Sequence, residues 1–357
     1  MSALETKMKD YLQKIAAGPR LSKDLTEAEA EDALNLILGE KVSKVRAGVF
    51  LIAARMKLET IPENIGYWRA LQSHVTPVTV NLDQIMQIAD PFDGFQRTPY
   101  FGFYAIPVIA QLGLPVYGHS ALPLPPKFGI TFEDILQSNY KVPEGKQRLA
   151  LLEKYRFSYL STSDTLPKLE NLRSLRTEIV KRPMLATLEK ILLPVKARNN
   201  ILITTYFHRG YETALTEIGK LSEFDKVIIG NGMEGTTLFG IHKEAKVFIQ
   251  KGADAAIQNN LSIKTLYNKE TAQRIAEAHE KLKPIESNLE MVVKLGENAL
   301  KTGTGPESLQ IASQAGTLTH LCGVFDTAQE GFDQSLALLE SGTVYESFMK
   351  WIAEAKN

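Results

Sequence analysis

The segment 89–97 is where the chemistry of this 357-residue chain should be sought first, since a strand is expected to pass there into a helix around a phosphate. It contains Asp93-Gly94, a pair common in turns. Few of the glycines that let backbone amides turn toward an anion are present. Pro91 has no amide hydrogen, and Asp90 places a negative charge where a diphosphate would lie. The segment therefore predicts a phosphate turn that has been rewritten.

Other polar residues follow predicted strands and could hold an anion at the same edge of a sheet. His119 follows the strand 114–117 and is expected to face the site, with a bond to a backbone carbonyl as the alternative. Arg97 could replace a lost cation, or be a solvated surface arginine. His208 and Arg209 end a strand and open a helix, whose free amides bind anions. No second His or Cys lies at ligand spacing from His208, which argues against a metal there.

The segment 168–198 carries eight basic and three acidic residues, although the 41 basic and 41 acidic residues of the whole chain balance. Arg173 and Arg176 are three residues apart and would share one helix face. Basic stripes favour polyanions through counterion release, while an ordinary solvated helix face is the alternative. The residues predicted to form a nucleic-acid patch are Lys168, Arg173, Arg176, Lys181 and Arg198.

The elements that must position these residues follow two patterns. The first 73 residues are predicted to be helical: Thr26 and Glu29 form a capping box, and residues 45–57 carry a broad apolar stripe for a buried or interface helix. Strands then alternate with helices, which predicts a mainly parallel sheet covered on both faces. The predicted strands are 77–81, 114–117, 157–160, 200–207, 226–230, 236–240 and 245–250.

The predicted fold class is therefore α/β, with a small N-terminal helical domain and a larger α/β domain around a mainly parallel sheet. The boundaries are 1–73 for the helical domain, joined by helices from about 135–195, and 74–357 for the α/β domain. The single Cys322 excludes an internal disulfide and fits a reducing compartment. Neither a signal peptide nor an apolar stretch of about 18 residues is found, so we predict a cytoplasmic protein without a membrane partner.

The segments 25–30 (Leu-Thr-Glu-Ala-Glu-Ala) and 50–57 (Phe-Leu-Ile-Ala-Ala-Arg-Met-Lys) resemble the N-terminal domain of the anthranilate phosphoribosyltransferase family, which shares its fold with the pyrimidine nucleoside phosphorylases. The resemblance covers nearly the whole chain in order. The family's diphosphate loop, Gly-Thr-Gly-Gly-Asp-Gly, corresponds to 90–95 here, where only Asp93 and Gly94 are kept. The resemblance thus implies the fold, with degenerate active-site motifs.

Four further positions correspond to family site residues. His119 is kept from the motif Lys-His-Gly-Asn-Arg, and Lys127 corresponds to the lysine of Lys-Ser-Gly. Arg182 corresponds to the acceptor-site arginine, which in the enzyme would meet the anthranilate carboxylate. Glu234 is what remains of the metal-binding Asp-Glu pair, which implies a weakened Mg²⁺ site. The family also implies a homodimer formed through the N-terminal helices.

The sequence is compatible with two functions, and it identifies no catalytic residue. One is a binding protein for nucleic acid or another phosphate-bearing ligand, as has been proposed for a diverged subfamily that the motifs resemble, rather than the tryptophan-pathway enzyme. The alternative is a glycosyl- or phosphoribosyltransferase of the pentosyltransferase type with an altered donor or acceptor. Only that alternative implies a cofactor, Mg²⁺, which would assist displacement of diphosphate.

Overall fold

The computed structural model describes residues 3–18, 20–208 and 210–356. Four helices come first: α1 (Ala3–Ile15), α2 (Glu27–Leu38), α3 (Lys44–Lys57) and α4 (Ile61–Gln72). The predicted capping box at the start of α2 is present, because the amide of Glu29 donates to Thr26 Oγ1 and the amide of Thr26 donates to Glu29. Helices α2 and α4 pack closely at Gly66, where a Cβ atom would lie 2.2 Å from the carbonyl oxygen of Glu27.

A seven-stranded sheet forms the centre of the larger part of the chain, in the order β4-β3-β2-β6-β7-β8-β9. Strands β4, β3, β2, β6 and β7 are parallel to one another. At one edge of the sheet, β8 runs antiparallel to β7, and β9 runs antiparallel to β8. The predicted fold class is thereby confirmed. The strands are β1 (Val78–Thr79), β2 (Gln84–Ala89), β3 (Val116–Ser120), β4 (Phe157–Ser161), β5 (Val195–Lys196), β6 (Asn199–Thr205), β7 (Lys226–Gly230), β8 (Ala245–Lys251) and β9 (Ile257–Leu261).

Two predicted strands differ from the structure, and two strands of the main sheet were not predicted. The predicted strand 77–81 is only the short β1, which pairs with β5 outside the main sheet. The strand that leads into the rewritten turn is β2, which the sequence analysis missed because polar Gln87 interrupts its apolar run. Gln87 is buried and donates to the carbonyl oxygen of Lys190 at 3.0 Å, so burial there is compatible with a polar side chain. The segment 236–240 is not a strand, and the polar edge strand β9 was not predicted.

Helices cover both faces of the sheet, as the alternating pattern predicted. One core cluster lies between the sheet and the C-terminal helices, and a second joins the N-terminal helices to the segment 166–193. Within the described ranges, no helix combines the length and the apolar character that a membrane span requires. The remaining helices are α5 (Gly102–Gln111), α6 (Phe132–Asp134), a π-helix (Ile135–Tyr140), α7 (Lys146–Tyr155), α8 (Thr162–Thr165), α9 (Pro167–Glu170), α10 (Arg173–Ile179), α11 (Leu185–Leu188), 3₁₀ turns (Glu189–Ile191, Met233–Gly235), α12 (Tyr211–Leu221), α13 (Ile263–Leu266), α14 (Lys269–Leu282), α15 (Leu289–Thr302), α16 (Pro306–Cys322), α17 (Ala328–Ser341) and α18 (Thr343–Ala355).

Candidate functional site

A cleft of about 300 Å³ lies beyond the carboxyl ends of β2, β6 and β7. Its walls come from the turn after β2, the loop 124–127, the segment 182–190, the end of β6 and Arg55 of α3. Among the described residues that line it, six are arginine or lysine and three are aspartate or glutamate. The cleft is therefore a basic pocket at the sheet edge where ligands of parallel sheets usually bind.

Asp93, Lys127 and Arg182 meet in this cleft, as the sequence analysis expected of site residues. The buried carboxylate of Asp93 forms an ion pair with Arg182 and lies 3.7 Å from Lys127 Nζ. Lys127 Nζ also donates to the carbonyl oxygen of Gly94 at 2.6 Å. Burial lowers the pKa of the Lys127 ammonium and that of the Arg182 guanidinium. The protein's own carboxylate thus partly neutralises two cations that an anionic ligand would use.

The backbone conformation and the packing at position 94 both require a glycine. Its amide donates to the carbonyl oxygen of Pro91 at 2.9 Å, and its φ of +76° is unfavourable for other residues. A Cβ atom would lie 2.4 Å from the backbone of Gly129. The adjacent Phe95 pairs with Ile130 through two backbone hydrogen bonds, so the turn after β2 is packed against the segment 129–130.

Glu234 fills an anion cradle that the protein builds from its own backbone. Its carboxylate accepts the amide hydrogens of three successive residues, Gln96, Arg97 and Thr98, at 3.1, 2.7 and 3.1 Å. No cluster of three His, Cys, Asp or Glu side chains that could hold a metal occurs in the described ranges. The residues present therefore do not fit the Mg²⁺ site that the resemblance implied, because Glu234 is a structural anion rather than a metal ligand.

The expected negative charge of Asp90 does not lie in the cleft. Its carboxyl group faces the core, where it accepts the hydroxyl of Tyr100 at 2.6 Å and the amide of Thr237 at 2.7 Å. Gln314 completes this network by donating to Tyr100 and to Thr237 Oγ1. Burial raises the pKa of Asp90 to about 6. The expectation that Asp90 repels a diphosphate directly is therefore wrong.

His119 also lies outside the cleft. Its ring is buried, packs edge-on against Phe92 with centroids 5.3 Å apart, and places Nε2 3.1 Å from Thr165 Oγ1. Burial lowers its pKa to about 3, so the ring is neutral. The prediction that His119 faces a ligand is not supported, because the bulky Phe92 of the rewritten turn stands between the imidazole and the cleft.

Two of the other predicted anion ligands, Arg97 and His208, do line the cleft, and both residues are exposed. Burial, with smaller effects of Arg55 and Arg182, lowers the pKa of His208. Arg209 lies outside the described residues.

The predicted nucleic-acid patch is not one surface. Arg176 is 3% exposed and forms a two-pronged ion pair with buried Glu189, so the inward face of α10 carries one of the expected surface cations. Arg173 donates to the loop carbonyls of Leu122 and Pro123. The remaining three residues are dispersed: Lys168 contacts His74, Lys181 is exposed beside the cleft residue Arg182, and Arg198 pairs with Asp83 at the amino end of β6.

Two basic residues of the cleft were missed in the sequence analysis as ligand candidates. Arg55 reaches in from α3, where its guanidinium lies 5.7 Å from the ring centre of Tyr211. Lys190 is 5% exposed and donates to Thr205 Oγ1 at 3.2 Å and to the Thr205 carbonyl oxygen. Burial lowers the pKa of Lys190 to about 7. The adjacent apolar run 191–193 was the available signal, because it indicates that this part of the chain is buried.

The helical bundle followed by a parallel sheet with a cleft at its carboxyl edge defines a glycosyltransferase-like class of fold. Residues 9–75 match the model described as "Glycosyl transferase family, helical bundle domain". The structure resembles anthranilate phosphoribosyltransferase from Thermus thermophilus with a TM-score of 0.72 and 20% identity, over 98% of this chain and 99% of that one. For the Saccharomyces cerevisiae enzyme in complex with PRPP and Mg the TM-score is 0.77 at 16% identity, over 98% of each chain. This chain is thus anthranilate phosphoribosyltransferase-like in fold, and the predicted resemblance is confirmed.

Curated relatives add a second kind of similarity. An uncharacterized protein of Aquifex aeolicus is 26% identical over 230 residues, which is 64% of this chain and 66% of that protein. The uncharacterized protein YbiB of Escherichia coli is 24% identical over 230 residues, or 63% and 69%. Anthranilate phosphoribosyltransferase of Solibacter usitatus is 39% identical over only 59 residues, or 16% and 17%. The similarity in sequence to this named enzyme is therefore confined to a short segment.

Proposed function

We propose that this chain binds a small phosphate-bearing ligand in the basic cleft. The observation that carries the proposal is the convergence of Arg55, Arg97, Lys127 and Arg182 on one cavity. Charge-assisted hydrogen bonds from such groups to phosphate oxygens are strong, and arginine can bind two oxygens at once. The ligand shares these cations with Asp93, so it is a multiply charged anion rather than a neutral molecule.

The size of the cleft favours a small ligand over a polymer. A volume of about 300 Å³ is at the lower end of small-molecule sites. Nucleic-acid binding remains an untested prediction, and the burial of Arg176 takes one cation away from the surface it requires. The transferase alternative also remains a prediction. The packed turn at Gly94 and the occupied cradle at Glu234 favour binding over the family reaction with Mg²⁺.

We expect inorganic diphosphate to raise the melting temperature of the protein. A ligand selective for the native state adds about 2.7 kcal/mol at a hundredfold excess over its Kd, which corresponds to roughly 4 °C in a protein of this size. The measurement is a thermal melt with diphosphate at constant ionic strength. Arg97→Met and Arg182→Met should each reduce the shift, because each removes a cleft cation.

Arg198→Met is the matched control, since Arg198 is an exposed arginine at the opposite end of β6. It should leave the shift unchanged. The proposal fails if diphosphate at about 10 mM, a concentration above the Kd of even a weak, millimolar complex, produces no shift. It also fails if all three variants show the same shift as the unmodified protein.

We also propose that two copies of this chain associate through α3. Its outward side carries Val45, Val49 and Met56, which are 76%, 48% and 75% exposed, and Leu58 at its end is 66% exposed. Their spacing places the three helical residues on one face. Val180, 57% exposed, extends the apolar surface from the neighbouring α10. Apolar patches of this kind usually mark an interface, and a second copy offers the same face for self-complementary packing.

Met56→Glu is expected to convert a dimer into the 39.7 kDa monomer, because it places a charge within the proposed contact. Light scattering after size exclusion measures the mass directly. Ile257→Glu serves as the control, since Ile257 is 69% exposed on the distant edge strand β9. A monomeric unmodified protein, or a Met56→Glu variant that remains dimeric, would contradict the proposal.

A further inference from the structure

Lys190 is a buried amine on the inner wall of the cleft, and anion binding alone does not account for its environment. Its Nζ bonds to two neutral oxygens, both of Thr205, at the carboxyl end of β6. It forms no ion pair with a carboxylate of the described residues. Buried lysines are normally paired, because an isolated ammonium is costly to remove from water.

The charges that face Lys190 explain which form of the amine this environment favours. Burial is the main cause that lowers its pKa, and nearby Arg182 and Lys127 act in the same direction. Asp90 and Glu189 oppose the effect without cancelling it. A neutral amine has two N–H groups and one lone pair. Thr205 accepts both N–H groups, which leaves the lone pair free for a ligand in the cleft.

We propose that Lys190 forms an imine with the carbonyl carbon of a small phosphorylated aldehyde or ketone bound in this cleft. The inference rests on the proposed phosphate site, whose cations Arg182 and Lys127 would hold the phosphate next to the amine. Lysines with a lowered pKa in apolar or cationic surroundings are the ones that serve as such nucleophiles.

Formation of the imine requires only the amine and the carbonyl compound. The Nζ lone pair adds to the carbonyl carbon, and one N–H proton moves to the carbonyl oxygen to give a carbinolamine. The hydroxyl group then leaves with the second N–H proton as water, and the C=N bond forms. Amine and carbonyl are thereby converted to imine and water, with no oxidant or reductant.

The test is reductive trapping on the full-length protein, with pyridoxal 5′-phosphate as the probe and borohydride as the reductant, followed by peptide mapping. Lys190 should be labelled at least about tenfold faster than exposed Lys246 at pH 7.5, because its surroundings favour the neutral amine and its lone pair is free in the cleft. Pyridoxal without the phosphate should label Lys190 about tenfold more slowly, because the cleft cations no longer hold it. Labelling of Lys190 no faster than that of Lys246 would overturn the inference.

The two proposals fail separately. If diphosphate raises the melting temperature and Lys190 still does not react, the imine inference is wrong and the phosphate site stands. If Lys190 reacts equally with both pyridoxals and diphosphate causes no shift, the amine is nucleophilic but the phosphate site is wrong. Lys190→Met should remove the cleft label without lowering the melting temperature of the ligand-free protein, which separates loss of the amine from loss of the fold.

Discussion

Replacing Arg176 by methionine should lower the free energy of unfolding by about 3–5 kcal/mol, because it leaves the carboxylate of Glu189 buried without its partner. Glu189 has no exposed surface, and both its oxygens accept Arg176 nitrogens, at 2.6 and 2.9 Å. Removing one member of such a pair costs more than removing both. Urea unfolding at pH 7 measures the difference.

Two further variants make the result interpretable. Arg198→Met removes an arginine whose exposed ion pair with Asp83 should contribute about 1 kcal/mol or less. The double variant Arg176→Met/Glu189→Met should recover most of the loss, because no charge is left buried. If Arg176→Met costs no more than Arg198→Met, the ion pair of Arg176 with Glu189 does not stabilise the protein and the prediction is wrong.

Replacing Lys190 by methionine should instead stabilise the protein at pH 7, by about 2–4 kcal/mol. The fall of the lysine pKa from 10.5 to about 7 corresponds to about 5 kcal/mol, and an unpaired Thr205 carbonyl returns about 1–3 kcal/mol of that. Between pH 7 and 10.5 the unfolded chain binds a proton at Lys190 that the folded protein does not. The stability of the unmodified protein therefore rises with pH through this window, and the advantage of the variant disappears.

The measurement is the difference in unfolding free energy between the two proteins at several pH values from 6.5 to 10, which cancels the groups they share. Lys196→Met is the control: Lys196 belongs to the same segment but is partly exposed and paired with Glu223, so its difference should be small. A Lys190→Met protein that is less stable at every pH would mean that the folded protein holds Lys190 as a stable cation.

The fold could be predicted from local signals and from the resemblance. The capping box at Thr26 and Glu29 is set by neighbours in sequence, and the structure forms it. Strand β2 could not be recognised, because its buried Gln87 is satisfied by Lys190, a residue distant in sequence. The edge strand β9 is polar and mostly exposed, so no apolar alternation marks it.

The candidate site could be predicted only in part. Asp93, Lys127 and Arg182 were selected by alignment to motifs, and they do meet. His119 was selected by the same alignment, which also placed the charge of Asp90 at the site, yet both side chains face the core. The direction of a side chain at the end of a strand depends on which bulky neighbour fills the cleft, and sequence position does not determine that.

The network around Asp90 has a consequence for how this sequence can change. Replacing Asp90 by glycine would leave the buried amide of Thr237 without its acceptor, at about 1–3 kcal/mol, and would remove the carboxylate that accepts the hydroxyl of Tyr100. No phosphate contact would be gained in exchange until Pro91 and Phe92 had also changed. The substitution of Asp90 alone is therefore unfavourable, so the core network around this residue constrains which sequences the turn after β2 can adopt.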